Sequence, residues 1–344
     1  MIDGTGAPPK ENAVIVVLGD RILRVGAVGQ YRFPNNVSIL ELDGRHVVPG
    51  FIDTHVHPHV DESAQAEMMS TLLGFGITTI RAPGTLPGRG VELRRRLANG
   101  VLLGPRMFVA AFSLDAPGNP LNALQIVVKS GAEARAAVRR QVSTGIDYVK
   151  LYMGVSDSLV APAIQEAHSQ GVKVVGHLKQ ASWTHAAQAG IDGLVHSGSD
   201  EPIWELLDDQ YRDRFPWDDW GSYLRAWSET ANLVDLEGPR MNTLVQALLE
   251  GGVEVNPTLV LFEALYWGDD PTVLESLEPA YAPTALTQTW GENWQEANPF
   301  MRQWNLTNEE WGQLKRAFVH TKEMIRHFHE RGVLITAGSD VGMP

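Results

Sequence analysis

His55 and His57 stand one residue apart at the end of an apolar run, in Gly50-Phe51-Ile52-Asp53-Thr54-His55-Val56-His57-Pro58. On a β-strand, residues i and i+2 point to the same face. This spacing therefore presents two imidazoles side by side at a strand end. Such a pair can chelate one metal ion, and it can equally be two ordinary loop histidines. Four further groups bear on that choice. Lys150 lies in the apolar-aromatic run 148–152, His177 ends the run 172–177, His196 ends the run 192–196, and Asp340 follows the run 333–337 in Gly338-Ser339-Asp340. A lone histidine at a strand end is more often structural. Imidazoles, a carboxylate and a lysine gathered at the ends of several strands of one sheet form a metal-competent set.

The elements that would gather them can be read from the pattern. From residue 51 onward, strand-like runs at 77–81, 106–111, 148–152, 172–177, 192–196, 253–259 and 333–337 alternate with helical segments at 62–73, 90–99, 132–144, 158–170, 182–189, 241–250 and 307–331. Glycine closes these helices repeatedly, as the position after a helix prefers. Repeated strand–helix units imply a parallel sheet. With the strand leading into His55 there are eight, which predicts an α/β fold, a TIM-like (β/α)8 barrel. Functional groups in that fold sit at the C-terminal strand ends, where all six residues fall. Alternation places Tyr148, Lys150 and Tyr152 on one face of their strand and Val149 and Leu151 on the other. A lysine there can face the barrel mouth, or it can snorkel to solvent.

Before the barrel, residues 13–17 and 21–26 flank a Gly19-Asp20 turn, and the alternating run 37–42 leads through Asp43-Gly44 to Val47-Val48. This is hairpin chemistry, and it predicts a small antiparallel β unit over residues 1–49 ahead of a barrel over 50–344. Residues 200–240 and 262–306 interrupt the rhythm. The first holds Trp204, Trp217, Trp220 and Trp227, and the second Trp267, Trp290, Trp294 and Trp304. Long insertions in a compact domain are functional or disordered, and aromatic density argues against disorder. They are expected to cap the barrel mouth, with most of the tryptophans gluing the insertions down.

Composition narrows the partners. The net charge of −13 lacks the basic face that sequence-independent nucleic-acid binding or adhesion to anionic membranes requires. With no cysteine, any transition metal must rest on histidine and oxygen ligands. No apolar run reaches the ~18 residues of a membrane span, and the first residues lack the basic start and apolar core of a signal peptide. The expected partner is a small-molecule substrate, with neither nucleic acid nor membrane, in a cytoplasmic protein that could form a homo-oligomer.

The order His-x-His, Lys, His, His, Asp on the first, fourth, fifth, sixth and eighth strands resembles the amidohydrolase superfamily. So do the words Pro49-Gly50-Phe51-Ile52-Asp53-Thr54-His55-Val56-His57, Gly176-His177, Val195-His196-Ser197 and Ala337-Gly338-Ser339-Asp340. The resemblance covers nearly the whole chain and is closest in flavour to the imidazolonepropionase-like and prolidase-like branch. It implies that His55, His57 and Asp340 bind the more buried of two divalent metal ions, zinc by preference. It implies that His177 and His196 bind the second, and that Lys150 carries a carbamate bridging both. A free ammonium cannot ligate a metal, so that modification is part of the expectation. Imidazolonepropionases use one metal and lack this lysine, so Lys150 directs the resemblance toward binuclear, prolidase-like members. The implied chemistry is hydrolysis of an amide C–N bond in a dipeptide, N-acyl amino acid or cyclic amide. A metal-activated water would attack, with Asp340 as general base. Lactone, ester or organophosphate hydrolysis on the same site is the alternative, as is a non-catalytic, truncated barrel.

The chain departs from the family pattern at its end, four residues after Asp340, where the family continues with a further helix and with strands that complete the β unit of residues 10–48. The expectation is an incomplete β-sandwich part and a chain that alone is poorly stable or depends on a partner, at roughly 25 cal/mol per Å² of lost apolar burial. His327 and His329 lie two apart on a helix, do not share a face, and are read as non-ligands. Arg81, at the end of the second strand, can serve as a substrate carboxylate clamp or as a structural ion pair.

Overall fold

The computed structural model describes residues 1–119, 125–198, 201–267, 270, 301 and 304–342. The chain divides into two compact units, Met1–Phe51 and Ile52–Pro344.

In the first unit, β1 (Ala13–Leu18) and β2 (Arg21–Ala27) form an antiparallel hairpin with an irregularity at Val16/Val17. Gly19 supplies the positive φ of the turn, +61°. The strands expected at 37–42 and 47–48 do not form. Alternation makes a strand only where a neighbour completes the ladder, and here the segment is held by isolated bonds such as Arg45 N to Leu42 O and Ile2 N to Val47 O, both 2.9 Å.

The second unit follows the expected rhythm. Its strands are β3 (Phe51–Asp53), β4 (Ile77–Ala82), β5 (Arg106–Val109), the short β6 (Leu114–Asp115) and β7 (Ile126–Val127), β8 (Tyr148–Leu151), β9 (Lys173–Gly176), β10 (Gly193–Val195), β11 (Glu254–Asn256) and β12 (Leu334–Ile335). One parallel sheet runs β12-β11-β10-β9-β8-β6-β7 and a second β3-β4-β5. Two seams join them into a barrel. Ala110 bridges to Tyr148, and Asp147 N donates to Val109 O at 2.8 Å. On the other side Thr54 N donates to Ala337 O at 2.9 Å, and Val56 bridges to Val341. The fold is a (β/α)8 barrel. The two-residue strands β6 and β7 have no counterpart in the sequence reading, being too short to show a period.

Helices α1 (Glu62–Gly74), α2 (Arg89–Ala98), α3 (Gly131–Val142), α4 (Asp157–Ser169), α5 (Trp183–Gln188) and α7 (Pro239–Gly251) lie where the pattern puts them. Asp61 starts α1 by accepting from Ser63 N and Ala64 N, both at 3.0 Å. The long helix α9 (Asn308–Glu330) opens with a full Thr307/Glu310 capping box. Val149 and Leu151 are fully buried in the layer between strands and helices, with Val138 and Ala163. The alternate residue, Lys150, consequently points into the barrel.

The seventh strand is shorter than the expected 253–259. Pro257 lacks an N–H and Thr258 takes φ +46°, so extension stops at Asn256 and α8 (Leu259–Trp267) begins. The first insertion contains 3₁₀ turns at Ile203–Leu206, Asp209–Arg214 and Ala231–Leu233, and α6 (Trp220–Thr230). Trp204 and Trp227 are buried anchors whose indole N–H groups reach Lys179 O at 2.9 Å and Glu201 Oε1 at 3.3 Å. Trp220 and Trp304 face the mouth of the barrel. Trp290 and Trp294 lie outside the described residues. Among the described residues, no helix is long and apolar enough to cross a membrane.

Candidate metal centre

One cavity of about 440 Å³ opens at the C-terminal ends of the strands, and His55, His57, Lys150, His177, His196 and Asp340 all line it. His59, His168, His185, His320, His327 and His329 are not among its described lining residues.

The tightest convergence lies between the first and last strands. His55 Nε2 and His57 Nε2 are 3.3 Å apart, and they lie 3.3 and 3.0 Å from Asp340 Oδ1. The backbone forces this meeting, since Asp340 N donates to His55 O and His57 N to Val341 O, both at 2.8 Å. Asp53, just before the histidines, ties the same two segments. Its carboxylate accepts from His55 N at 3.0 Å, Ser339 N at 3.1 Å and Ser339 Oγ at 2.5 Å. Gly338 is needed because a Cβ there would lie 2.5 Å from Asn256 Nδ2 and 2.8 Å from His55 Cβ.

His196 and His177 complete the ring of imidazoles. The centroid of His196 lies 4.6 Å from that of His55 and 4.3 Å from that of His177, and Tyr152 meets His177 edge-on at 4.9 Å. His196 Nδ1 is 2.8 Å from Thr258 Oγ1 and 3.9 Å from Asp340 Oδ2, so the hydroxyl helps to orient the ring beside the carboxylate. His196 and Asp340 hold φ of +68° and +59°, and Thr258 +46°. Non-glycine residues rarely adopt such values, and where they cluster they mark functional sites.

Electrostatics set the charge states. Burial, then the positive charges of His196, Lys150 and His57, holds His55 well below the usual imidazole range, so it is the neutral form that can ligate. Burial alone would raise the Asp340 carboxyl, but the His57 hydrogen bond and the charges of His57, His196 and Lys150 outweigh it and hold it below its ordinary value. Lys150 is 3% exposed, and its Nζ has no hydrogen-bond partner among the described residues. Burial, opposed by Asp340 and assisted by Arg81, brings its ammonium down to about 7. A cluster of imidazoles, a carboxylate and an orphaned buried amine fits divalent metal ions held through nitrogen and oxygen.

Arg81 takes the structural of its two roles. Its Nε donates to Thr54 O at 2.8 Å, its Nη1 pairs with Glu254, and its guanidinium lies 5.3 Å from the Tyr148 ring centre, beneath the cavity rather than lining it. Sequence reasoning passed over two supporting residues. Asp53 carried a signal, since it stands inside the His-x-His run. Thr258 carried none, because its partner is 62 residues away.

Residues 46–201 match the family model described as "Amidohydrolase family". The matched segment, a little under half of the chain, is similar to an amidohydrolase family domain. The chain is 25% identical to an adenine deaminase of Staphylothermus marinus over 285 residues, which is 71% of this chain and 45% of that protein. It is 29% identical to a urease subunit alpha of Staphylococcus xylosus over 202 residues, 54% of this chain and 33% of that one. The chain thus spans less than half the length of the curated relatives it matches. Among solved structures, a Xaa-Pro dipeptidase with methionine in its active site superposes with a TM-score of 0.59 at 18% identity, covering 96% of this chain and 75% of the other. That likeness concerns the fold.

Proposed function

We propose that this chain is a metal-dependent hydrolase that cleaves an amide C–N bond in a dipeptide, N-acyl amino acid or cyclic amide. The observation that carries the proposal is the meeting of His55, His57 and Asp340 donor atoms within about 3.3 Å of one another, in a cavity also lined by Lys150, His177 and His196. Deaminase and urease, the names of the similar proteins, both denote cleavage of a carbon–nitrogen bond, which supports the class of reaction.

His55, His57 and Asp340 would hold one divalent ion, and His177 and His196 a second, zinc by preference for such donors. Lys150 would bridge the two as a carbamate: carbon dioxide adds to the neutral amine, a proton leaves, and the new oxygens supply the ligands the amine lacks. When bound, the metals supply Lewis-acid polarisation of the carbonyl and a water acidic enough to react near neutral pH. The chain's own residues do the rest. Asp340, facing both histidines, takes the proton of the attacking water and returns it to the departing nitrogen. Asp53 and the backbone bonds around Ser339 fix the Asp340 carboxylate during that transfer. Thr258 holds His196 in one tautomer.

Elemental analysis of purified protein beside a Lys150→Ala variant tests the centre. About two metals per chain, falling to one or fewer in the variant with amide hydrolysis lost, is the expected result. One metal, unchanged in the variant, would remove the bridging role of Lys150. Absence of metal in a folded protein would overturn the proposal.

A further inference from the structure

The cavity has a second side that the chemistry above does not use. Helix α8 places Leu261, Phe262 and Leu265 on it, α6 adds Trp220 and Leu224, and Trp304 closes it. Leu261 and Leu265 are one helical turn apart and share a face. This wall is fixed against the metal centre. The Phe262 ring meets the His196 ring edge-on at 6.3 Å, and the Tyr266 hydroxyl donates to Gly198 O at 2.6 Å. Gly198 permits that approach, since a Cβ there would lie 2.4 Å from the Phe262 ring. Phe262 and Leu224 are almost fully buried, while Leu261, Leu265 and Trp220 stay half-buried. The half-buried faces are apolar surface held open beside the reacting position.

Resting on the amide-hydrolase reading, we propose that this wall selects substrates whose acyl or amine part is a bulky, uncharged apolar or aromatic group, in preference to a free dipeptide with its α-ammonium. Apolar surface rewards apolar contact, at about 0.8 kcal/mol or roughly fourfold in affinity per buried methylene. An ammonium pressed against the same wall loses hydration, and the lone carboxylate among the described lining residues is Asp340, already shared by His55 and His57. A cavity of about 440 Å³ is large enough for such a group.

The test uses three metal-chelating probes on the metal-loaded protein, with affinity read by titration calorimetry: acetohydroxamate, octanohydroxamate and leucine hydroxamate, which carries an ammonium. Octanohydroxamate is expected to bind at least about tenfold more tightly than either of the others. Leu265→Asp should shrink that gap to less than threefold. Val260→Asp, on the exposed face of the same helix, should leave it intact and so controls for damage to α8. Equal binding of the three probes, or leucine hydroxamate as tight as octanohydroxamate, overturns the inference even if simple amides are hydrolysed. Failure of every probe to bind protein with its full metal content overturns it as well. Tight, tail-dependent binding with no turnover of any amide sustains the apolar wall and sinks the amide-hydrolase reading instead.

Discussion

The barrel interior holds two clusters of buried charge, and they differ in how their charges are answered. Beneath the cavity Arg81 pairs with Glu254, donates to Thr54 O and stacks on Tyr148. At the mouth His55, His57 and Asp340 crowd together in a cavity shared with Lys150, whose amine meets no hydrogen-bond acceptor among the described residues. Burying a charge is costly unless it is paired. The lower cluster answers most of that cost within the protein, with only Arg81 Nη2 lacking a partner among the described residues, and reads as structure. The upper one leaves donor atoms aimed at a common point, an arrangement that becomes favourable when a cation occupies it. Burial of polar groups alone would not have separated the two.

Substitutions in each cluster should therefore fail in different ways. The largest effect is expected from Asp340→Asn, which keeps the shape and removes the negative charge and the proton acceptor. Amide turnover should fall by about 10²–10⁴, with metal content reduced and circular dichroism unchanged. Arg81→Ala should do the reverse. Leaving the half-buried Glu254 without its partner should cost about 1–3 kcal/mol in urea unfolding, while metal bound per folded molecule stays at the parent value. If Arg81→Ala also empties the centre, the two clusters are one cooperative unit and the contrast fails.

Asp115 offers an intermediate case, a buried carboxylate answered by neutral donors: Asn119 at 2.7 Å, Gly154 N at 2.8 Å and Ala116 N at 2.9 Å. Burial outweighs those bonds and pushes its carboxyl up from 3.8 to about 6. Between these values the folded chain retains a proton that the unfolded chain has lost, so this group's contribution to stability falls as pH rises through that window. The full effect is about 3 kcal/mol. Unfolding measured against an Asp115→Asn variant should show the parent losing relative stability from pH 4 to 6 and a constant difference above pH 7. A difference that does not vary with pH would mean that the hydrogen bonds, not burial, govern this carboxyl.

The smallest effect is expected at Thr258. Thr258→Val deletes the hydroxyl on His196 Nδ1 and keeps the shape. Metal affinity should weaken by about 10–100-fold, read by competition with a chelator, with thermal stability nearly unchanged. An unaltered affinity would show that the ring of His196 is oriented by packing against His55 and His177 instead.

The sequence by itself determined the strand–helix alternation, because a period of 2 or 3.6 and a closing glycine are local properties. It also determined which residue types could ligate, because His55-Val56-His57 shares one face by strand geometry alone and the other groups follow strand-like runs. It misjudged residues 37–48, where alternation found no neighbour to pair with, and residues 257–259, where Pro257 and the positive φ of Thr258 end a strand that hydrophobicity would have extended. Only the tertiary structure decided that Asp340 meets His55 and His57, across some 285 residues, because closing the barrel sets the first strand beside the last. It also decided that Arg81 serves the core, that Thr258 serves His196, and that α8 turns an apolar face toward the candidate metal centre. Each of these depends on which surface another element buries, and no local pattern encodes that.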